Sequence, residues 1–445
     1  MALVSEAIAR YHKLIESEPY IDLAWAMALQ ERKKALRLNG GVSPVLRPHF
    51  VTHRELAALE KAAELIASAI ERVEQMALST PALLARMHLL PAERMLAATE
   101  PGYSAINVAT HLHTNLNDAT LRFTGHSASA AAGVIYGDAL ADLYYEAPPV
   151  KEFRKKFKLR KIGGAKPLLS AMLKAYKESG RKQKKPAIAI VEFHAGGAGE
   201  HGLLAEFFTK EGHATVTVTP EQLEYRNGML RAGEMEIDLV YRAFRLHDFL
   251  VRFDLNHALV RAYKDRAICM VNSFRSDLGA KKAVLDLLTD ETVTAKFPSA
   301  ERKAIKDFIP WTRVVQAVKT THKGHAVDLP EFVMKHRSKL VLKPNDATTE
   351  QPPVRGADVD DLTWERALRQ AMRTPSVVQE IPEPVRSVFP MLQFGSLMMK
   401  DMQVDAQPHL FLGSANGAST WLSVAGSTGF STLTGLAPTF VLEGK

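Results

Sequence analysis

The sequence predicts an α/β fold in which a helical N-terminal region precedes a parallel-sheet unit and a second α/β portion. Three observations carry this expectation. Residues 53–78, HRELAALEKAAELIASAIERVEQMAL, place Leu56, Leu59, Ala63, Ile66 and Ile70 at three- and four-residue steps, the period of a helix with one buried face. Four short apolar runs, AIAIVEF (187–193), ATVTVT (214–219), IDLVYRAF (237–244) and AICMVNS (267–273), alternate with longer segments. Strands spaced in this way form a parallel sheet with right-handed crossovers. With 445 residues, 46% hydrophobic and 24% charged, the chain can bury a substantial core and divide into two or three domains.

In chain order, residues 1–100 read as a helical region, with Thr52 and Glu55 spaced as a capping box at the head of the 53–78 helix. Residues 101–185 change to short apolar runs and turn residues, then to the basic stretch KEFRKKFKLRKIGGAKP (151–167) and an exposed linker, KESGRKQKKP (177–186). Both charge runs read as solvated faces. Residues 186–275 hold the four strands, with helices expected at GLLAEFFTKEG, PEQLEYRNG and HDFLVRFDLNHALVRAY. Residues 276–400 continue with a helix at GAKKAVLDLLTDE, a strand near 340–343, a helix over 362–373 and the strand SVVQEI (376–381). Residues 401–445 alternate apolar runs with Gly, Ser and Thr, as strands and loops that close a site would.

Composition excludes several classes. The net charge is +8, but the basic residues are dispersed and not interleaved with aromatics, so the excess points to anionic ligands and not to nucleic acid. Cys269 is the only cysteine, which removes intramolecular disulfides, Cys-rich zinc sites and iron–sulfur clusters. No apolar run approaches a membrane span and the N-terminus lacks a signal-peptide pattern, so a cytoplasmic protein is expected.

The segments GAKKAVLDLL (279–288), LVLKPND (340–346) and SVVQEIPE (376–383), together with RPHFVTHREL (47–56), VNSFRSDLGAKKAVLDLLTDE (271–291) and LAPTFVL (436–442), resemble the circularly permuted ATP-grasp proteins related to glutathionylspermidine synthase. The resemblance extends over most of the chain. It implies an ATP-grasp-like fold whose lobes, at 276–400, are completed by residues 101–150 and the C-terminal tail. It also implies ATP as the ligand: Lys281 or Lys282 matches the first phosphate-binding lysine, Lys343 the second, and Gln379 with Glu380 the adenine hinge. The family chemistry is phosphorylation of a carboxylate, followed by attack of an amine or thiol on the acyl phosphate.

This sequence departs from that pattern in two places. Relatives follow the KPND-like segment with a glycine-rich loop carrying a basic residue; here Ala347, Thr348, Thr349, Glu350, Gln351, Pro352 and Pro353 follow. Proline has no N–H to offer a phosphate, and Glu350 adds negative charge. Where relatives carry Arg-x-Asp and Glu-x-Asn for magnesium, the matching positions are His111, His113, Gly125 and Ser127, although Mg²⁺ prefers carboxylate oxygen. Trp421 also stands where a basic residue is expected.

The leading expectation is therefore a degenerate ATP-grasp protein that retains nucleotide contacts without ligase chemistry, with a structural or regulatory role alongside an active relative. The competing one is a working ATP-dependent carboxylate–amine or carboxylate–thiol ligase that holds metal through Asp118, Asp138 or Asp346. A third is a transition-metal site built on His111 and His113, two apart on a strand and so on one face, completed by His126, His194 or His201. The glycines of HAGGAGEHG (194–202) lack the dinucleotide fingerprint, and a strand-to-helix turn accounts for them.

Overall fold

The computed structural model describes residues 2–36, 43–116, 121–193, 199–346, 351–424 and 435–443. Helix His53–Ser79 begins as its sequence specifies: Thr52 Oγ1 accepts from the Glu55 amide, and the Glu55 carboxylate accepts from the Thr52 amide. Leu56, Leu59, Ala63, Ile66 and Ile70 are all buried, and all but Leu56 join the core with Val284, Leu285, Leu288 and Ile305. The helical N-terminal region also contributes a strand. His49–Thr52 runs parallel to Thr439–Glu443, which pairs antiparallel with Lys158–Lys161. The basic stretch is thus partly a strand, with Leu159 as its one inward-facing residue.

The four expected strands form one parallel sheet in the order Thr215–Val218, Ile188–Val191, Leu239–Arg242, Cys269–Val271. The helix expected at PEQLEYRNG is absent. A single 3-10 turn, Pro220–Gln222, leads into a meander of Leu223–Arg226, Met229–Ala232 and Met235–Ile237. Asn227 and Gly228 both adopt left-handed backbone, at φ 53° and 75°, the conformation of a two-residue hairpin turn. The expected long helix over 247–263 divides into Leu246–Arg252 and Ala258–Lys264, the second capped by His257 Nδ1, which accepts from the Leu259 amide. GAKKAVLDLL likewise divides, into Asp277–Ala280 and Ala283–Leu288. Lys281 and Lys282 stand at the break.

Two further sheets frame the space around these lysines. The smaller is antiparallel, in the order Thr312–Val314, Ser376–Glu380, Leu340–Pro344, Val354–Arg355, with helices Leu329–Lys335 and Asp361–Ala371 packed over it around buried Trp364. The larger has six strands, in which Ala109–Leu116 and Leu121–Ser127 join Ser396–Phe411, Ser414–Val424 and Gly435–Ala437, while Arg386–Gln393 pairs with the far half of Ser396–Phe411. Strands preceding the parallel sheet in sequence thus pair directly with strands near the C-terminus, His111 opposite His409. Among the described residues, no helix is long and apolar enough to cross a membrane.

Candidate functional site

Lys281 and Lys282 are adjacent, but the helix break sends them to different surroundings. Lys281 is 2% exposed, and its ammonium donates to both carboxylate oxygens of Glu93, at 2.7 and 2.8 Å, and to Asp346 Oδ1 at 2.6 Å. Burial alone would lower its pKa; Asp346 and Glu93 more than offset this and raise it. Lys282 donates its backbone amide to Asn345 O, while its half-buried ammonium has no hydrogen-bond or ion-pair partner among the described residues. Burial lowers its pKa; Asp346 acts in the opposite direction and Arg245 adds to the lowering.

Lys343, on the smaller sheet, reaches across to the larger one. Its ammonium donates to Thr124 O at 3.1 Å and to Gln379 Oε1 at 2.6 Å. Burial and the neighbouring Lys282 lower its pKa to about 7, with Asp405 partly opposing them. Gln379 is held in turn by donating to Thr312 Oγ1. Glu380 does not join this group. Consecutive strand residues point to opposite faces, and its carboxylate meets His322 Nε2 at 2.9 Å and Lys323 at 3.5 Å.

The facing wall is formed by the paired strands Ala109–Leu116 and Leu121–Ser127, with His111 opposite Ser127 and His113 opposite Gly125. Both ring nitrogens of His113 are engaged: Nε2 with Ser127 Oγ at 2.9 Å, and Nδ1 with Gln407 Nε2 at 3.2 Å. The Gln407 amide can only donate, so Nδ1 accepts and the proton is assigned to Nε2. Burial, then repulsion from Lys282 and Lys343, lowers the His113 pKa to about 3, so the ring is neutral at physiological pH. His111 is buried beside it, ring centroids 5.0 Å apart. His126 shares a cross-strand row with Leu112 instead, and its Nδ1 meets Gly279 O at 3.0 Å. His201 lies in the parallel-sheet unit, paired with Glu192 at 2.5 Å.

Asp405 is the acidic group that the sequence reading missed. Its Oδ1 accepts from the Thr114 amide at 3.0 Å and its Oδ2 from Gln407 at 2.9 Å. Burial raises its pKa to about 6, against the pull of those hydrogen bonds and of Lys343. It sits opposite Trp421 across the strand pair. No motif marks it; only the pairing of segments almost three hundred residues apart in sequence brings it here, Thr114 to Asp405.

Of the carboxylates proposed from sequence as metal ligands, Asp138 and Asp346 are bound within the fold. Asp138 accepts from the Gly164 and Ala165 amides at the start of helix Ala165–Glu178, and Asp346 is held by Lys281. Asp118, Ala347, Thr348, Thr349, Glu350 and His194 lie outside the described residues, while Gln351, Pro352 and Pro353 are exposed. Among the described residues, the one grouping of three His or acidic ligands is Glu93, His247 and Asp346, and the Lys281 ammonium already bonds two of them. His113 has no free nitrogen lone pair for a metal.

A cleft of about 620 Å³ opens away from the lysines, lined by Arg86, Asp286, Asp290, Trp311 and Arg313 among others. Its charges largely satisfy one another, Arg86 with Asp286 at 3.0 Å and with Asp290 at 2.9 Å.

No family model matches the chain, and no curated protein matches it in sequence. Solved structures do. The chain is similar to a glutathione synthetase-like effector from Globodera pallida, in its apo form, with 11% identity, a TM-score of 0.57, and coverage of 96% of this chain and 99% of that one. A provisionally assigned gamma-glutamylcysteine synthetase from Methylobacillus flagellatus aligns over 86% of each chain at 10% identity and a TM-score of 0.41. The ATP-grasp ligase PsnB, in complex with its minimal precursor, aligns over 57% of this chain and 89% of its own at 12% identity and a TM-score of 0.28. The first of these establishes a shared fold over almost the full length of both chains. The other two are too distant to add to it.

Proposed function

We propose that this protein is a degenerate, circularly permuted ATP-grasp protein that binds a nucleotide through Lys282, Lys343 and Gln379 and does not ligate. The observation that carries this reading is the convergence of two lysines from separate elements on a wall of His113, Gly125 and Ser127. Lys343 bridges the two sheets, and Lys282 presents an ammonium close by that has no partner among the described residues. Two cations held near each other in a half-buried site are costly without an anion between them, and a phosphate chain supplies one. Phosphoryl transfer rests on positioning and on charge neutralisation around metal ions, and the carboxylates that would anchor a metal are replaced on this wall. Lys281 has no part in nucleotide contact in this reading, because Glu93 and Asp346 already neutralise it.

ATP binding followed calorimetrically, with Lys343→Met alongside, tests the binding half of the proposal. Release of ADP in the presence of pooled amino acids, polyamines and thiols tests the other half. Saturable binding that the substitution weakens, without turnover, is the expected result; sustained ADP release overturns it.

Asp405 favours a second reading. A carboxylate facing the Lys343 ammonium supplies one of the groups an active carboxylate–amine or carboxylate–thiol ligase needs, and Asp405→Asn would abolish turnover if that reading holds.

A further inference from the structure

The ATP-grasp fold implies magnesium at the phosphates, and the described residues at the site do not fit it. Mg²⁺ is normally held through one or two carboxylates together with substrate phosphates, in near-octahedral oxygen geometry. The described wall offers two imidazoles, a glycine and a serine. His113 uses both of its nitrogens and Ser127 Oγ is bound to it. Asp405 is held by Thr114 and Gln407. Asp346 belongs to Lys281.

The position of Gly125 is informative. A Cβ built there would lie 3.7 Å from the Lys282 ammonium and 3.2 Å from the His113 ring. A side chain at this position would therefore extend into the space that the ammonium occupies. A carboxylate here would form an ion pair with Lys282, and a divalent cation would meet two ammonium groups, with Asp405 acting on Lys343 and the Lys281-bound Asp346 acting on Lys282.

We infer that Lys282 takes over the electrostatic role of the divalent cation, so that the site binds the phosphate chain of a nucleotide as the metal-free anion. This rests on the nucleotide reading above and adds to it a definite ligand form. The magnesium complex of ATP carries two fewer negative charges than the free anion, so a site neutralising by lysine alone discriminates against the complex. The same pattern recurs one residue away, where the Lys281 ammonium fills the Glu93–His247–Asp346 grouping.

The test compares ATP binding to the full-length protein in EDTA with binding in millimolar MgCl₂. Affinity in EDTA should equal or exceed that in magnesium, and Lys282→Met should weaken the EDTA value by roughly tenfold or more, with Lys282→Arg retaining most of it. Gly125→Asp provides a second variant: the new carboxylate pairs with Lys282, so ATP binding should fall without becoming magnesium-dependent. Electron paramagnetic resonance of Mn²⁺ titrated into the protein with ADP should show no ion beyond that held by the free nucleotide. Binding that requires magnesium, or a protein-bound Mn²⁺ signal, overturns the inference and leaves the nucleotide reading standing. Absence of binding in both conditions overturns the nucleotide reading itself.

Discussion

Acidification should destabilise this fold steeply, because histidines at its centre are held neutral. His126 and His409 are each 2% exposed, and burial lowers both pKa values to about 4. His113 is lowered to about 3, by burial and then by the two lysines, and His111 moves in the same direction, for burial and then for its histidine neighbours. A folded pKa below the unfolded value of about 6.5 means that the unfolded chain binds more protons, so stability is lost as pH falls through 6.5 toward the folded values. Between about pH 7.5 and about pH 5.5, each such histidine removes a little over about 1 kcal/mol. His113, His126 and His409 together remove about 4 kcal/mol over that interval, before His111 is considered. Asp405 works in the opposite sense. Its raised pKa lets the folded state take up a proton first, returning about 1 kcal/mol or less over the same range. For these four groups alone the loss is about 3 kcal/mol, to which His12 and His49, lowered by burial and then by Arg47, and the lowered Lys343 add in the same direction. That loss is a large share of an ordinary domain's stability and corresponds to a more than hundredfold rise in the unfolding equilibrium constant. Urea unfolding followed by tryptophan fluorescence at the two pH values measures it, and histidine Cε1 proton shifts report the individual titrations. Stability that is flat between these pH values, or His126 and His409 titrating near 6.5, would refute the reasoning.

Three other substitutions bear on the same centre. Glu93→Gln leaves buried Lys281 with Asp346 as its single acidic partner and should cost about 3–5 kcal/mol in urea unfolding, the range for breaking a buried ion pair. Gly279→Ala would place a Cβ 2.3 Å from Glu74 Oε1 and 2.9 Å from His126 Nδ1, so a loss of about 1–3 kcal/mol is expected from overpacking, visible as a lower unfolding midpoint. Lys343 has a folded pKa of about 7, below its unfolded value; the unfolded chain therefore binds more protons above neutrality, and stability should rise from about pH 7 to about pH 9. Lys343→Met should flatten that rise in the same urea experiment.

Periodic signals carried most of the fold in the sequence. The 53–79 helix, its capping box and the four parallel strands follow from apolar spacing that repeats within one element. Failures fall where a local signal was overridden. The Asn227–Gly228 pair is a hairpin signature inside a segment taken as helical. The division of GAKKAVLDLL follows from Lys281 turning toward Glu93, a residue distant in sequence that no local pattern couples to it. At the site, the pleat of the strand sends Gln379 to Lys343 and Glu380 to His322, a division that the sequence does not mark. Asp405 was invisible for a stronger reason: a lone acid in a long strand acquires meaning only through its cross-strand neighbours.

The two lysines at the helix break differ in what a ligand can gain from them. Lys281 is fully compensated inside the fold, so its contribution is the same with or without a bound anion. Lys282 has its ammonium half-buried with no carboxylate bonded to it among the described residues, and Lys343 is satisfied by a carbonyl and an amide, which are neutral acceptors. Burying a charge without an opposite charge costs several kcal/mol, and that cost is present in the free protein whatever its role. On the nucleotide reading, an anion entering between Lys282 and Lys343 would relieve it, so part of the binding free energy would be stored in the fold before the ligand arrives. A metal cation arriving at the same place would add to the repulsion from Lys282 that, with burial, already lowers the Lys343 pKa. The wall of neutral histidines fits this arrangement: deprotonated imidazoles, unlike carboxylates, leave the lysine charge uncancelled and available to the ligand.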